Sequence, residues 1–116
     1  MINSEQKQCL RFWFEALANA VRGDEPDLSA RQIAIILAVY LTDGPHTVRG
    51  LTANLAISKP AVTRALDRLA DLKFIERAKD PRDRRSVLVK RTEDGEAFLS
   101  RFAEIIESAK LKTGLG

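Results

Sequence analysis

Apolar positions along the chain switch between a helical and an alternating period, and the switches divide it into elements. Residues 4–22 carry the broadest apolar face. Projected at about 100° per residue, Cys9, Leu10, Phe12, Trp13, Phe14, Ala16, Leu17, Ala20 and Val21 span well over half the circumference, leaving Arg11, Glu15, Asn19 and Arg22 a polar strip. A helix packed on one neighbour needs a narrower stripe. Two buried faces are therefore expected here, the second of which another copy of the chain could supply.

"GDEPDL" (23–28) is a connector. Ser29, with Gln32 three residues on, has the form of a capping box and opens a helix through "IAIILAVYL" (33–41). So apolar a run is also compatible with a buried strand, but the cap and the length favour helix, and "TDGPH" ends it. Two short segments follow in tandem. Thr47 is placed to cap a helix reaching about Leu55, with Val48, Leu51 and Leu55 on one face. "AIS" turns the chain, and Ser58 caps a second helix with Pro60 in its first turn, where the missing N–H costs nothing. That helix is expected to bury Val62, Ala65, Leu66, Leu69 and Leu72 and to show Lys59, Thr63, Arg64, Asp67 and Arg68.

Phe74 to Ala78 and Ser86 to Arg91 then read as an antiparallel strand pair, with residues 79–85 as the hairpin tip. Thr92 caps a last helix from Glu93 to about Lys112, with Phe98, Leu99, Phe102, Ile105, Ile106 and Ala109 on one face, and "TGLG" is expected to fray. A short helix, a tight turn, a longer helix and a β-hairpin make a winged helix-turn-helix. The fold class expected is mainly α with a small β-hairpin (α+β). One domain is expected, with residues 4–22 as an N-terminal dimerisation helix, 29–91 as the winged lobe and 92–112 as a C-terminal helix.

Composition narrows the function. The 116 residues are 45% hydrophobic and 30% charged, enough for one modest core. One Cys excludes an internal disulfide, and one Cys with one His builds no zinc site of common spacing. No Gly-rich phosphate loop, nucleophile–His pair or paired acids stand out, so neither an enzyme nor a bound cofactor is expected. The longest apolar run, Ile33 to Leu41, falls far below the roughly 18 residues that span a bilayer. "MINSEQKQCLRF" lacks a basic start followed by an apolar core. A cytoplasmic location without membrane association is expected.

Charge changes the picture more. The net charge is +3, yet residues 58–91 carry eleven Lys/Arg and five Asp/Glu, a balance of +6, against −3 over the rest. Such segregation is a footprint for a polyanion, although a solvated face gives the same count. The densest part is "KDPRDRRS" (79–86), with six charged residues in eight. A basic hairpin tip can enter a minor groove, where narrow A·T stretches concentrate negative potential. Asp83 can accept hydrogen bonds from a neighbouring Arg or backbone, and Pro81 stiffens the tip. On the helix before it, Thr63 and Arg64 are placed to reach base edges in a major groove.

"DPRDRRS" (80–86) matches the wing motif of the MarR family of bacterial transcriptional regulators, and "SKPAVTRALDRLADLKFIER" (58–77) resembles that family's recognition helix and first wing strand. The resemblance runs over about residues 28–99. It implies a homodimer on double-stranded DNA at a pseudo-palindromic operator, usually repressing, with many members released by a small-molecule effector or by oxidation. By position it places Ser58, Pro60, Ala61, Thr63, Arg64 and Arg68 toward the major groove. It makes Arg84 and Arg85 the wing-tip arginines, with Asp83 orienting Arg85. Arg82 and Lys59 become phosphate contacts, and Thr47 with its following N–H groups holds the DNA backbone. Family members usually have a longer C-terminal region with two dimerisation helices, whereas this chain shows about one.

Other residues have plainer readings. Cys9 invites comparison with family members that sense peroxide, but its place on the stripe with Trp13, Ala16 and Ala20 favours a buried thiol. Phe12, Trp13 and Phe14 fit packing better than a ligand cleft, and His46 fits a surface loop. The competing function is a winged-helix protein-interaction module, which predicts neutral or apolar residues where this chain has arginines.

Overall fold

Side-chain oxygens one residue ahead of each helix set where it begins. In the computed structural model, which describes residues 1–115, α1 (Ser4–Arg22) opens on a capping box: Asn3 Oδ1 accepts the Gln6 N–H at 2.8 Å and Gln6 Oε1 accepts the Asn3 N–H at 2.9 Å. α2 (Ala30–Leu41) opens on the expected Ser29–Gln32 box, with bonds of 3.2 and 2.9 Å. After β1 (His46–Thr47), Thr47 Oγ1 accepts the Gly50 N–H at 2.9 Å and starts α3 (Val48–Leu55). Ser58 Oγ accepts the Ala61 N–H at 3.2 Å and starts α4 (Lys59–Asp71). β2 (Ile75–Asp80) and β3 (Asp83–Arg91) follow. Thr92 Oγ1 then accepts the Gly95 N–H at 3.0 Å at the head of α5 (Glu93–Thr113). Each bond satisfies an amide that the first helical turn leaves without a partner.

α4 ends in a Schellman motif. Lys73 takes a left-handed conformation (φ 65°), so that its N–H reaches the Ala70 carbonyl and the Phe74 N–H reaches the Leu69 carbonyl, each at 2.9 Å. Leu69 and Phe74 are both buried, which is the apolar contact that accompanies this stop. Lysine holds a position that glycine fills more cheaply.

The sheet has three strands in the order β1-β3-β2, all antiparallel. The expected hairpin is therefore one strand short. His46 and Thr47 pair with Val89 and Leu88, so His46 belongs to a sheet edge rather than a loop. The wing strands also run further than expected, to Asp80 and from Asp83, leaving a tight turn at Pro81 and Arg82.

Residues 28–97 form one compact unit. Its core is Ile35, Ile36 and Val39 of α2, Leu51 of α3, Val62, Leu66 and Leu69 of α4, and Phe74, Ile75 and Val89. A polar junction closes one side of it. Tyr40 Oη bonds the Phe74 carbonyl at 2.7 Å and the Thr92 carbonyl at 3.1 Å, and accepts the Thr92 N–H at 2.9 Å. Arg91 lies over the Tyr40 ring, 5.8 Å from its centroid, and donates to the Val39 and Thr42 carbonyls at 2.8 and 2.9 Å, capping the end of α2. Gly95 is obligatory here, because a Cβ would collide with Tyr40 Oη and the Phe74 carbonyl.

Met1–Asp27 and the segment from Phe98 onward form a second unit. The Phe98 and Phe102 rings stack at 6.0 Å, Gln8 Nε2 donates to the Thr113 carbonyl at 3.1 Å, and Arg101 pairs with Glu25. Its buried apolar residues are Ala16, Phe98, Phe102 and Ala109. α1 exposes large apolar side chains, Leu10 (54%), Trp13 (42%), Phe14 (62%), Leu17 and Val21 (72%), beside polar ones such as Arg11 and Arg22. Glu15 and Asn19, expected on the polar strip, are instead half-buried. Cys9 is exposed, which corrects the expectation of a buried thiol: of the residues on its stripe Trp13 is exposed as well, while Ala16 is buried. The end of α5 is capped where fraying was expected: Gly114 has φ 74° and the Leu115 N–H bonds the Lys110 carbonyl at 3.0 Å. Gly116 lies outside the described residues.

Candidate nucleic-acid interface

The tandem of α3 and α4 depends on one left-handed residue, Ala56 (φ 54°), which ends α3 and lets Ser58 start α4 three residues after Leu55. α4 then buries Ala61, Val62, Ala65, Leu66 and Leu69. Lys59, Pro60, Arg64, Asp67 and Arg68 are exposed and Thr63 is half-buried. Ala61 is a correction. Expected toward the DNA, it is only 7% exposed, because the third position of α4 turns its methyl into the core. Ser58 and Thr47 accept helix amides, which leaves each hydroxyl proton as a donor.

The wing is irregular where the cations cluster. β2 and β3 pair in register from Ile75–Arg91 to Lys79–Val87, then jump to Asp80–Asp83. Arg84, Arg85 and Ser86 thus form a bulge in β3, a device that re-aims side chains. Both acids of the finger hold its backbone. Asp80 Oδ1 accepts the Arg82 N–H at 2.9 Å, and Asp83 Oδ1 accepts the Arg85 N–H at 3.0 Å. These are Asx-type turns. Asp83 thus meets Arg85 at its main-chain amide. Arg82, Asp83, Arg84 and Arg85 are all exposed.

A groove of about 470 Å³ runs between α3, α4 and the wing, lined by Val48, Leu66 and Val87 together with Arg49, Lys59, Thr63, Arg77, Lys79 and Arg85. It brings together three of the sequence-predicted residues, Lys59, Thr63 and Arg85. Arg64, Arg68, Arg82 and Arg84 are not among its lining. Arg49 was absent from the expectation because it lies outside the basic segment. Its one signal was its place in the first turn after Thr47. Conversely, two cations of the basic segment are engaged within the protein: Arg91 caps α2, and Arg77 Nη1 donates to Asp67 Oδ1 at 2.6 Å.

A sequence model described as MarR family matches residues 27–86. The chain belongs to the MarR family. It is 33% identical over 98 residues to the multiple antibiotic resistance protein MarR of Salmonella typhimurium, an alignment covering 84% of this chain and 61% of the relative. The chain thus spans about three-fifths of the length of that curated MarR relative. Among solved structures, the transcriptional regulator Tm0710 of Thermotoga maritima superposes with a TM-score of 0.72 at 26% identity, covering 95% of this chain and 76% of that one. A mutant MarR of E. coli, solved in complex with operator DNA, shares the fold with a TM-score of 0.68 at 24% identity over 94% and 73% of the two chains. The helices and small antiparallel sheet described above are thus the winged-helix architecture of MarR regulators. Among the described residues, no helix is long and apolar enough to cross a membrane, and no His/Cys/Asp/Glu group could hold a metal ion.

Proposed function

We propose that this chain binds double-stranded DNA sequence-selectively as a homodimer and regulates transcription by occupying a pseudo-palindromic operator. The observation that carries the reading is the convergence of Lys59, Thr63, Arg49, Lys79 and Arg85 on one groove between a helix-turn-helix and a wing. α4 enters the major groove, with Arg64 and Thr63 toward base edges and Pro60 and Arg68 beside them. Ser58, Thr47, Lys59 and Arg49 hold phosphates, aided by the N-terminus of α3. Arg84 and Arg85 take the wing to the neighbouring minor groove from the bulge beside Asp83, and Arg82 at the turn holds a phosphate.

Support for the dimer comes from the second unit. A helix whose exposed side chains include Leu10, Trp13, Phe14 and Val21 lacks an adequate core of its own. A second copy, packed face to face about a two-fold axis, covers the patch and supplies a second lobe for a second half-site. Repression follows from operator occupancy alone. An effector entering the groove would compete with DNA for the same cations.

Sedimentation and DNA binding test both halves together. The parent is expected to sediment as a dimer and to lose affinity with salt at a log–log slope on the order of −5 to −9, from about three to five phosphate contacts per subunit. Phe14→Glu is expected to sediment as a monomer and lose binding to a two-half-site duplex. A dimeric Phe14→Glu protein, or a flat salt dependence, would show the reading to be wrong.

A further inference from the structure

Asp67 sits where a DNA-facing surface should not carry an acid. At about 100° per residue, the exposed arc of α4 runs from Lys59 through Thr63, Asp67, Pro60, Asp71 and Arg64 to Arg68. Asp67 thus lies between Thr63 and Arg64, one turn further on, and Asp71 shares the arc at the C-terminal end of the helix. An unpaired carboxylate beside Thr63 and Arg64 repels phosphates and competes with them for Arg64 and Arg68. The charge is met by Arg77, on β2, through the 2.6 Å bond. With side chains 34% and 55% exposed, such a pair adds little to folding stability. What it does is mechanical. It is a direct bond from the outer face of α4 to the first wing strand, and Arg77 also lines the groove with Thr63, Lys59 and Arg85.

We propose that Asp67 and Arg77 form a positioning clamp that sets the recognition helix against the wing and so determines sequence selectivity rather than affinity for DNA in general. The clamp has this role only if the lobe binds DNA as inferred above. Selective binding needs Arg64 and the wing arginines to arrive in one fixed geometry, whereas phosphate contacts tolerate many. Breaking the clamp frees Arg77 for any nearby phosphate and leaves Asp67 unneutralised on the reading face. Binding to arbitrary duplexes then persists while preference falls.

The test compares the parent with Asp67→Asn, Arg77→Gln and the double variant. Two probes are used: a duplex that the parent recovers from a random pool, and a shuffled duplex of the same composition. Each single variant is expected to lower the ratio of the two affinities about tenfold, the size of one lost base contact. The double variant should lower it no further than either single one, and thermal midpoints should stay within a few degrees of the parent. Arg77→Lys, which keeps a charged donor on the strand, should retain more of the ratio than Arg77→Gln. Unchanged ratios in both single variants, or losses that multiply in the double, overturn the clamp while leaving DNA binding intact. A parent that prefers no duplex in the pool overturns the DNA-binding reading itself, and the clamp with it.

Discussion

Replacing Tyr40 by phenylalanine removes one oxygen from the junction where α2, β2, β3 and α5 meet. The ring stays, and with it the Arg91 guanidinium 5.8 Å away, so the substitution isolates the hydroxyl. That hydroxyl accepts the Thr92 N–H at 2.9 Å and donates toward the Phe74 carbonyl at 2.7 Å. Both partners lie in a part-buried setting, where stranding a backbone group costs more than the bond's net worth. Two lost bonds, with the Thr92 N–H stranded, come to about 2–4 kcal/mol. For a domain of this size, about 1 kcal/mol moves the thermal midpoint by about 4–8 °C, so a fall of about 8–32 °C is expected. The assay is thermal and urea unfolding followed by circular dichroism at fixed protein concentration, with the urea slope as a check on the exposed surface. A fall of less than about 4 °C with an unchanged slope would refute the reasoning, since it would mean that water replaces the hydroxyl at no cost.

Gly95→Ala places a methyl group against Tyr40 Oη and the Phe74 carbonyl, and should destabilise by about 3 kcal/mol or more in the same urea titration. Lys73→Gly relieves a left-handed lysine at φ 65° and should raise the unfolding free energy by about 0.5–1 kcal/mol. Arg64→Ala should cost about 1–3 kcal/mol on the preferred duplex and flatten preference at particular base pairs in a mismatch panel. Lys59→Ala should instead weaken all sequences alike, in proportion to one lost phosphate contact.

How far the sequence carries depends on whether a feature is local. Ser29, Thr47, Ser58 and Thr92 were legible as helix starts because each bonds an amide three residues away. The burial of Val62, Ala65, Leu66 and Leu69 was legible because helical period alone assigns it. β1 was not, since a two-residue strand has no period and exists only through its pairing with Val89 and Leu88. The roles of Arg91 and Arg77 were hidden for a related reason. Their partners lie 52 and 10 residues away in the chain, so a charge count put both in the DNA footprint. Arg49 failed in the opposite sense: isolated in sequence, it is brought to the groove by the fold. Cys9 and the α1 stripe show a third limit, because apolar pattern says which side chains want cover and not whether the same chain supplies it.

Residues 79–85 were expected as a plain hairpin tip in which Asp83 accepts from a neighbouring Arg or from backbone; the backbone alternative is the one seen. Asp80 and Asp83 shape the main chain by accepting the Arg82 and Arg85 amides, and the arginines occupy a bulge beside the turn. Substituting either acid should therefore alter where the arginines point.

The most direct test of the central claim is recovery of duplexes from a random DNA pool by the purified chain, in parallel with Arg85→Ala. The parent is expected to enrich an inverted repeat with half-sites about one helical turn apart, and Arg85→Ala to fail to enrich it at the same salt. Enrichment of no sequence, with only weak salt-sensitive retention of the pool, would contradict the claim.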